Sequence, residues 1–111
     1  MTVVAFALAA FFSALLWIVS GRFRPLLERR KRVVMQWSLT GKPTSTASPR
    51  AALAVTPAVG TATLFLVACV FAFGTPAEDR EAAPLAVAAI GAVLVAIHAG
   101  HMYFAVRSDV R

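Results

Sequence analysis

His98 and His101 are the chain's two histidines, and they are the only titratable side chains set well inside an apolar run. Ionisable groups at such positions are candidate functional groups by default. A separation of three residues places both imidazoles on one side of a helix, which makes them the candidate cofactor-binding pair. Three chemistries suit such a pair. Proton relay draws on an imidazole that titrates near neutrality, but it wants carboxylates close by, and no Asp or Glu falls within any of the long apolar runs. Zinc needs a third and usually a fourth ligand. Cys69, the single cysteine, lies toward the opposite end of its own run, a depth gap of about 13 Å or more at helical rise. Bis-histidine haem ligation needs imidazoles on opposite sides of the iron, so one of these two would require a second histidine from another subunit. The chain's own residues therefore call for no cofactor and no metal.

The elements that must position the histidines are three uncharged stretches. Hydrophobic residues make up 59% of the 111 and charged residues 14%, whereas soluble chains average about a quarter charged. The excess is gathered into runs. Val3–Ser20, Ala51–Phe73 and Leu85–Val106 are each long enough to cross a hydrocarbon core of about 30 Å at 1.5 Å per residue. None has a polar face, as a buried helix of a water-soluble bundle would. A cleavable signal would carry its basic residues before the first run; here they begin at Arg22, so the first run reads as a retained anchor. The expected fold is an all-α integral membrane protein of one domain, with three spans over 3–20, 51–73 and 85–106. A cytoplasmic loop covers 21–50 and an external loop 74–84.

Orientation follows from arginine and lysine. Loop 21–50 holds Arg22, Arg24, Arg29, Arg30, Lys31, Arg32, Lys42 and Arg50, the tail holds Arg107 and Arg111, and loop 74–84 holds only Arg80. Cytoplasmic loops retain such residues. Ten of the eleven share one side if the N-terminus lies outside and the C-terminus inside. The net charge of +6 is then a topology signal, and no nucleic-acid partner is expected, since that would want a basic face on a folded domain. Alanine- and arginine-rich usage points to a GC-rich bacterial genome, hence a bacterial inner membrane.

Within the basic loop, Pro25 suits the first turn of a helix. On a helical projection Phe23, Leu26, Leu27, Val33, Val34 and Trp37 fall opposite Arg24, Glu28, Arg29, Lys31 and Arg32. This pattern predicts an interfacial amphipathic helix, with Arg22, Arg24, Arg29, Arg30, Lys31, Arg32 and Trp37 as the membrane-surface residues and anionic headgroups as their partner. Thr40–Arg50 reads as a flexible tether. Its Gly41-Lys42 lacks the leading glycine and strand of a phosphate-binding loop. In the external loop Thr75-Pro76-Ala77-Glu78 fits a capping box and a short surface helix.

Membrane helices associate through small residues and polar contacts. The third span offers Ala88, Ala92, Ala96 and Gly100 at four-residue spacing, the second Ala52, Thr56 and Gly60, and the first Ala5, Ala9 and Ser13. If the third stripe meets the other two spans, the histidines, on nearly the opposite face, turn away from them toward another membrane protein or a second copy. Pro57 should bend the second span, with Thr56, Thr61 and Thr63 supplying local hydrogen bonds.

No nucleophile paired with a base, carboxylate pair or dinucleotide fingerprint is present, so no enzyme is expected. The leading expectation is an accessory, assembly or scaffold subunit of a membrane complex. Three spans with an external N-terminus and a basic internal tail look like one holin layout, which makes a small permeation oligomer the alternative. In size and span count the chain also resembles the hydrophobic anchor subunits of respiratory complexes, which would imply b-haem held by His98 or His101.

Overall fold

The computed structural model describes residues 2–28, 33–37 and 43–107. Three long helices dominate it: α1 (Thr2–Leu27), α2 (Pro49–Phe73) and α3 (Ala83–Arg107). Each is long and apolar enough to cross a membrane. Their outward surfaces carry Phe11, Ile18, Leu66, Val70, Val93, Ile97 and Phe104, all more than half exposed, apolar patches of the kind that mark a membrane or partner surface.

Each boundary has a local cause. Ser48 caps α2, its hydroxyl accepting from the Ala51 amide at 3.3 Å, and Pro49 fills the first helical position. At the other end the Gly74 amide donates back to the Val70 carbonyl at 2.8 Å. α1 runs past Ser20 to Leu27, with Pro25 inside its last turns rather than opening a new helix. Proline removes one amide, and the carbonyl its ring crowds belongs to Gly21, a residue without a side chain whose Cβ position faces open space.

The amphipathic helix expected through Trp37 does not form. Val33–Trp37 is a strand, β1, paired antiparallel with β2 (Pro43–Ala47) through two register irregularities. β-Branched and aromatic types at Val33, Val34 and Trp37, answered by Thr44 and Thr46, favour extended backbone. A five-residue apolar segment cannot be assigned to helix or strand by period alone. Of the tether read over 40–50, Pro43–Ala47 is likewise strand, Ser48 caps α2 and Pro49 and Arg50 open it, while residues 40–42 lie outside the described residues. Arg29, Arg30, Lys31 and Arg32 lie outside the described residues. β1 lies against α2 and α3, and β2 leads directly into the start of α2, so the hairpin marks that end of the bundle.

At the opposite end Ala77–Ala82 is a 3-10 helix. The expected capping box is absent: Thr75 Oγ1 donates to the Val70 carbonyl at 3.1 Å, closing α2 instead. Arg80 Nε donates to the Thr75 carbonyl at 3.2 Å.

α1 is the central element. It packs along both α2 and α3, which meet each other less extensively. Its buried residues, Ala5, Ala9, Ser13, Leu16, Ser20 and Leu27, form one seam. Two apolar clusters fill the interior. One joins Ala5, Ala9 and Leu16 to Leu64, Ala68, Ala83 and Val87, and the other joins Leu27 to Ala52, Leu53, Met102 and Ala105 at the hairpin end. Close approach depends on two glycines: a Cβ on Gly91 would overlap the Phe12 ring, and one on Gly60 would fall 2.5 Å from Leu16 Cδ1.

Candidate functional site

The polar chemistry of the bundle is concentrated between the two apolar clusters, and it begins with Pro57. A helical proline supplies no amide to the carbonyl four residues earlier, which here is that of Leu53. A carbonyl left without a partner in an apolar interior costs a few kcal/mol. The donor that answers it comes from another helix: Ser20 Oγ on α1 donates to the Leu53 carbonyl at 2.6 Å. The same oxygen lies 2.7 Å from His98 Nε2 on α3. One serine therefore ties all three helices together.

Hydrogen counting assigns the roles. The Leu53 carbonyl can only accept, so the single hydroxyl proton of Ser20 points at it. The contact with His98 is then an Nε2–H donating to Ser20 Oγ. His98 Nδ1 is left as a bare lone pair, buried and without a hydrogen-bond partner among the described residues. A neutral imidazole fits these contacts, because an added proton on Nδ1 would face no acceptor.

This geometry corrects the expected orientation of α3. The buried face of α3 is Ala83, Val87, Gly91, His98, Met102 and Ala105, with His98 at 0% exposure. His98 therefore points into the bundle, and His101 is half-buried beside it. The Ala88, Ala92, Ala96 and Gly100 stripe does not meet α1 and α2. Ala92 and Ala96 are exposed, Ala88 and Gly100 are half-buried, and a Cβ on Gly100 would touch nothing. On α2, Ala52 and Gly60 do lie in the core, while Thr56 is half-buried. The threonines do not relieve Pro57. Thr63 Oγ1 donates to the Val59 carbonyl at 2.8 Å, and Thr61 Oγ1 is buried without a partner among the described residues, as is Ser13 Oγ.

A serine against a histidine resembles a nucleophile with its base, but the roles are reversed here. The serine proton is directed at Leu53, and the imidazole nitrogen facing Ser20 carries a hydrogen rather than a lone pair. Nor does a carboxylate among the described residues orient Nδ1. Since Nε2 is engaged and the ring has no exposed surface, His98 presents no ligand position to a haem or metal outside the bundle. No group of three metal-binding side chains occurs among the described residues.

Beside the Ser20 contact a groove of about 740 Å³ opens between the last turns of α1 and the first turns of α2. Trp17, Ser20, Gly21, Arg24 and Glu28 line its α1 side, and Ser48, Pro49, Arg50, Leu53 and Ala54 its α2 side. Arg24 Nε pairs with Glu28 Oε1 at 3.2 Å. Arg22 is exposed on α1 outside the groove, and Trp37 lies in β1. On α3, Arg107 Nη1 donates to the Tyr103 hydroxyl at 2.9 Å.

Neither Ser20 nor Leu53 is singled out by residue type or motif. The available signal was Pro57, whose position names the carbonyl that needs a donor, together with the few polar side chains at matching depth. Comparison with protein-family models, with curated proteins and with solved structures finds no match to this chain.

Proposed function

We propose that the chain is a multi-pass protein of the bacterial inner membrane, N-terminus outside and C-terminus cytoplasmic, serving as a non-enzymatic accessory or scaffold subunit of a membrane complex. The observation that carries this reading is the placement of the α3 stripe. Ala92 and Ala96 lie exposed on the outer surface of a bundle whose other faces present large apolar side chains. Small residues let a second backbone approach closely, which is how helices associate where lipid competes for every apolar contact. The bundle interior is closed by its own Ser20 contact, so α3 has this face to offer to another membrane segment. The basic loop would hold the same end of the chain against anionic headgroups.

Purification in mild detergent followed by mass spectrometry tests the reading. It expects a stoichiometric partner or a defined oligomer, lost when Ala92 and Ala96 are both changed to leucine. A clean monomer, or retention of the partner by that variant, counts against it. If the recovered species is a homo-oligomer and its overexpression collapses the membrane potential, the permeation reading replaces the scaffold one.

A further inference from the structure

We infer that the groove between α1 and α2 is a binding site for the phosphodiester headgroup of an anionic glycerophospholipid. It differs from diffuse attraction by the basic loop in having walls, a floor and a defined set of donors. Positions 17, 20, 21 and 24 of α1 recur at helical spacing, and Glu28, just past its end, still donates its amide to the Arg24 carbonyl, so one face of the helix supplies most of a wall. Its volume, about 740 Å³, lies in the range of small-ligand sites.

The charge in the groove is uncompensated. Arg50 sits in the first turn of α2, where the helix end already carries roughly half a positive charge, and that turn contains no acidic residue. Arg50 forms no ion pair among the described residues, and its backbone amide, unlike those of Ala51 and Ala52, has no acceptor. Across the groove Arg24 uses only Nε on Glu28, which leaves its two Nη groups and their four hydrogens. One carboxylate against two guanidiniums and a helix terminus leaves a net positive site. An anion from outside the chain completes it.

The apolar side of the groove commits the occupant to a lipid rather than free phosphate. Trp17, 47% exposed, stands two turns along α1 from Arg24, and Leu53 and Ala54 continue its surface on α2. A tryptophan at that distance from the cationic residues is the arrangement of a membrane interface. It places a glycerol backbone against the indole when a phosphate lies between Arg24 and Arg50.

The inference rests on the bilayer placement proposed above but not on any partner, and the two can fail separately. Release of the chain into an alkaline carbonate supernatant would remove the bilayer placement. With the chain retained in membranes, the purified and delipidated full-length protein is titrated in neutral detergent with phosphatidylglycerol or phosphatidylcholine of matched acyl chains, and adducts are read by native mass spectrometry. Phosphatidylglycerol is expected to bind more tightly, with about five-fold weakening for each of Arg24→Gln and Arg50→Gln. Arg107→Gln, which removes a cation at the same end of the bundle, is expected to leave it unchanged. Equal binding of the two lipids overturns the site, as does an equal loss in Arg107→Gln, which would mean diffuse attraction only. Displacement of phosphatidylglycerol by millimolar inorganic phosphate overturns the assignment to a lipid.

Discussion

Replacing Ser20 by alanine removes one hydroxyl and orphans two groups, the Leu53 carbonyl and the His98 Nε2–H. Interhelical hydrogen bonds in membrane proteins contribute about 0.6 kcal/mol on average and at most about 1.7. Loss of the pair should therefore cost about 1 to 3.5 kcal/mol, the upper part applying where neither orphan finds water. Pro57→Ala separates the two losses. Alanine restores the amide that Leu53 lacks, so in that background Ser20→Ala orphans only His98. The serine substitution should then cost less by the value of one bond, a coupling of roughly 1 kcal/mol. The changes in ring packing and helix bend caused by Pro57→Ala itself cancel in the cycle. Reversible unfolding in mixed micelles, titrated by the mole fraction of a denaturing detergent and followed by circular dichroism, gives the four free energies. An equal cost of Ser20→Ala with proline and with alanine at position 57 would refute the assignment of Ser20 as the donor that the proline makes necessary.

The tautomer of His98 can be tested with amides of different reach. Glutamine sets an N–H donor near the position of Nε2 and asparagine nearer that of Nδ1, so His98→Gln should be more stable than His98→Asn by about 1 kcal/mol in the same titration; the opposite order would place the donating hydrogen on the wrong nitrogen. The two core glycines should differ. Gly91→Ala drives a Cβ into the Phe12 ring and should cost 1 to 3 kcal/mol, roughly, whereas Gly60→Ala meets the tip of Leu16, which can rotate, and should cost less. Gly100→Ala should change stability by less than about 0.5 kcal/mol, and a larger loss in the isolated chain would mean that its face is already packed.

The three long helices were legible because their signal is composition over some twenty residues, which no local preference outweighs. The α1 seam was legible too, since Ala5, Ala9 and Ser13 recur at strict four-residue spacing and all three are buried. α3 was not. It carries one set of residues in Ala88, Ala92, Ala96 and Gly100 and another in Ala83, Val87, Gly91 and His98, and both suit close packing on size alone. What decides between them is held on other helices: the Phe12 ring that Gly91 admits and the hydroxyl that His98 meets. The loop failed for a different reason. Val33–Trp37 is short enough to satisfy a helical projection by accident, and its β-branched and aromatic types carried the better signal.

The Ser20 contact also answers a question that apolar packing leaves open. Seams made of alanine and leucine look much alike after a shift of one turn, and lipid gives little penalty for the wrong register. A slide of α1 by one turn moves Ser20 about 5.4 Å along the axis, too far to reach either Leu53 or His98. It would leave a carbonyl and an imidazole N–H unpaired between two apolar clusters. Three polar atoms on three helices thus distinguish one register from its neighbours by both bonds together, while each bond alone is modest. The proline is what makes the arrangement discriminating: with an unbroken α2 the Leu53 carbonyl would already have its partner, and Ser20 would have only the histidine to find.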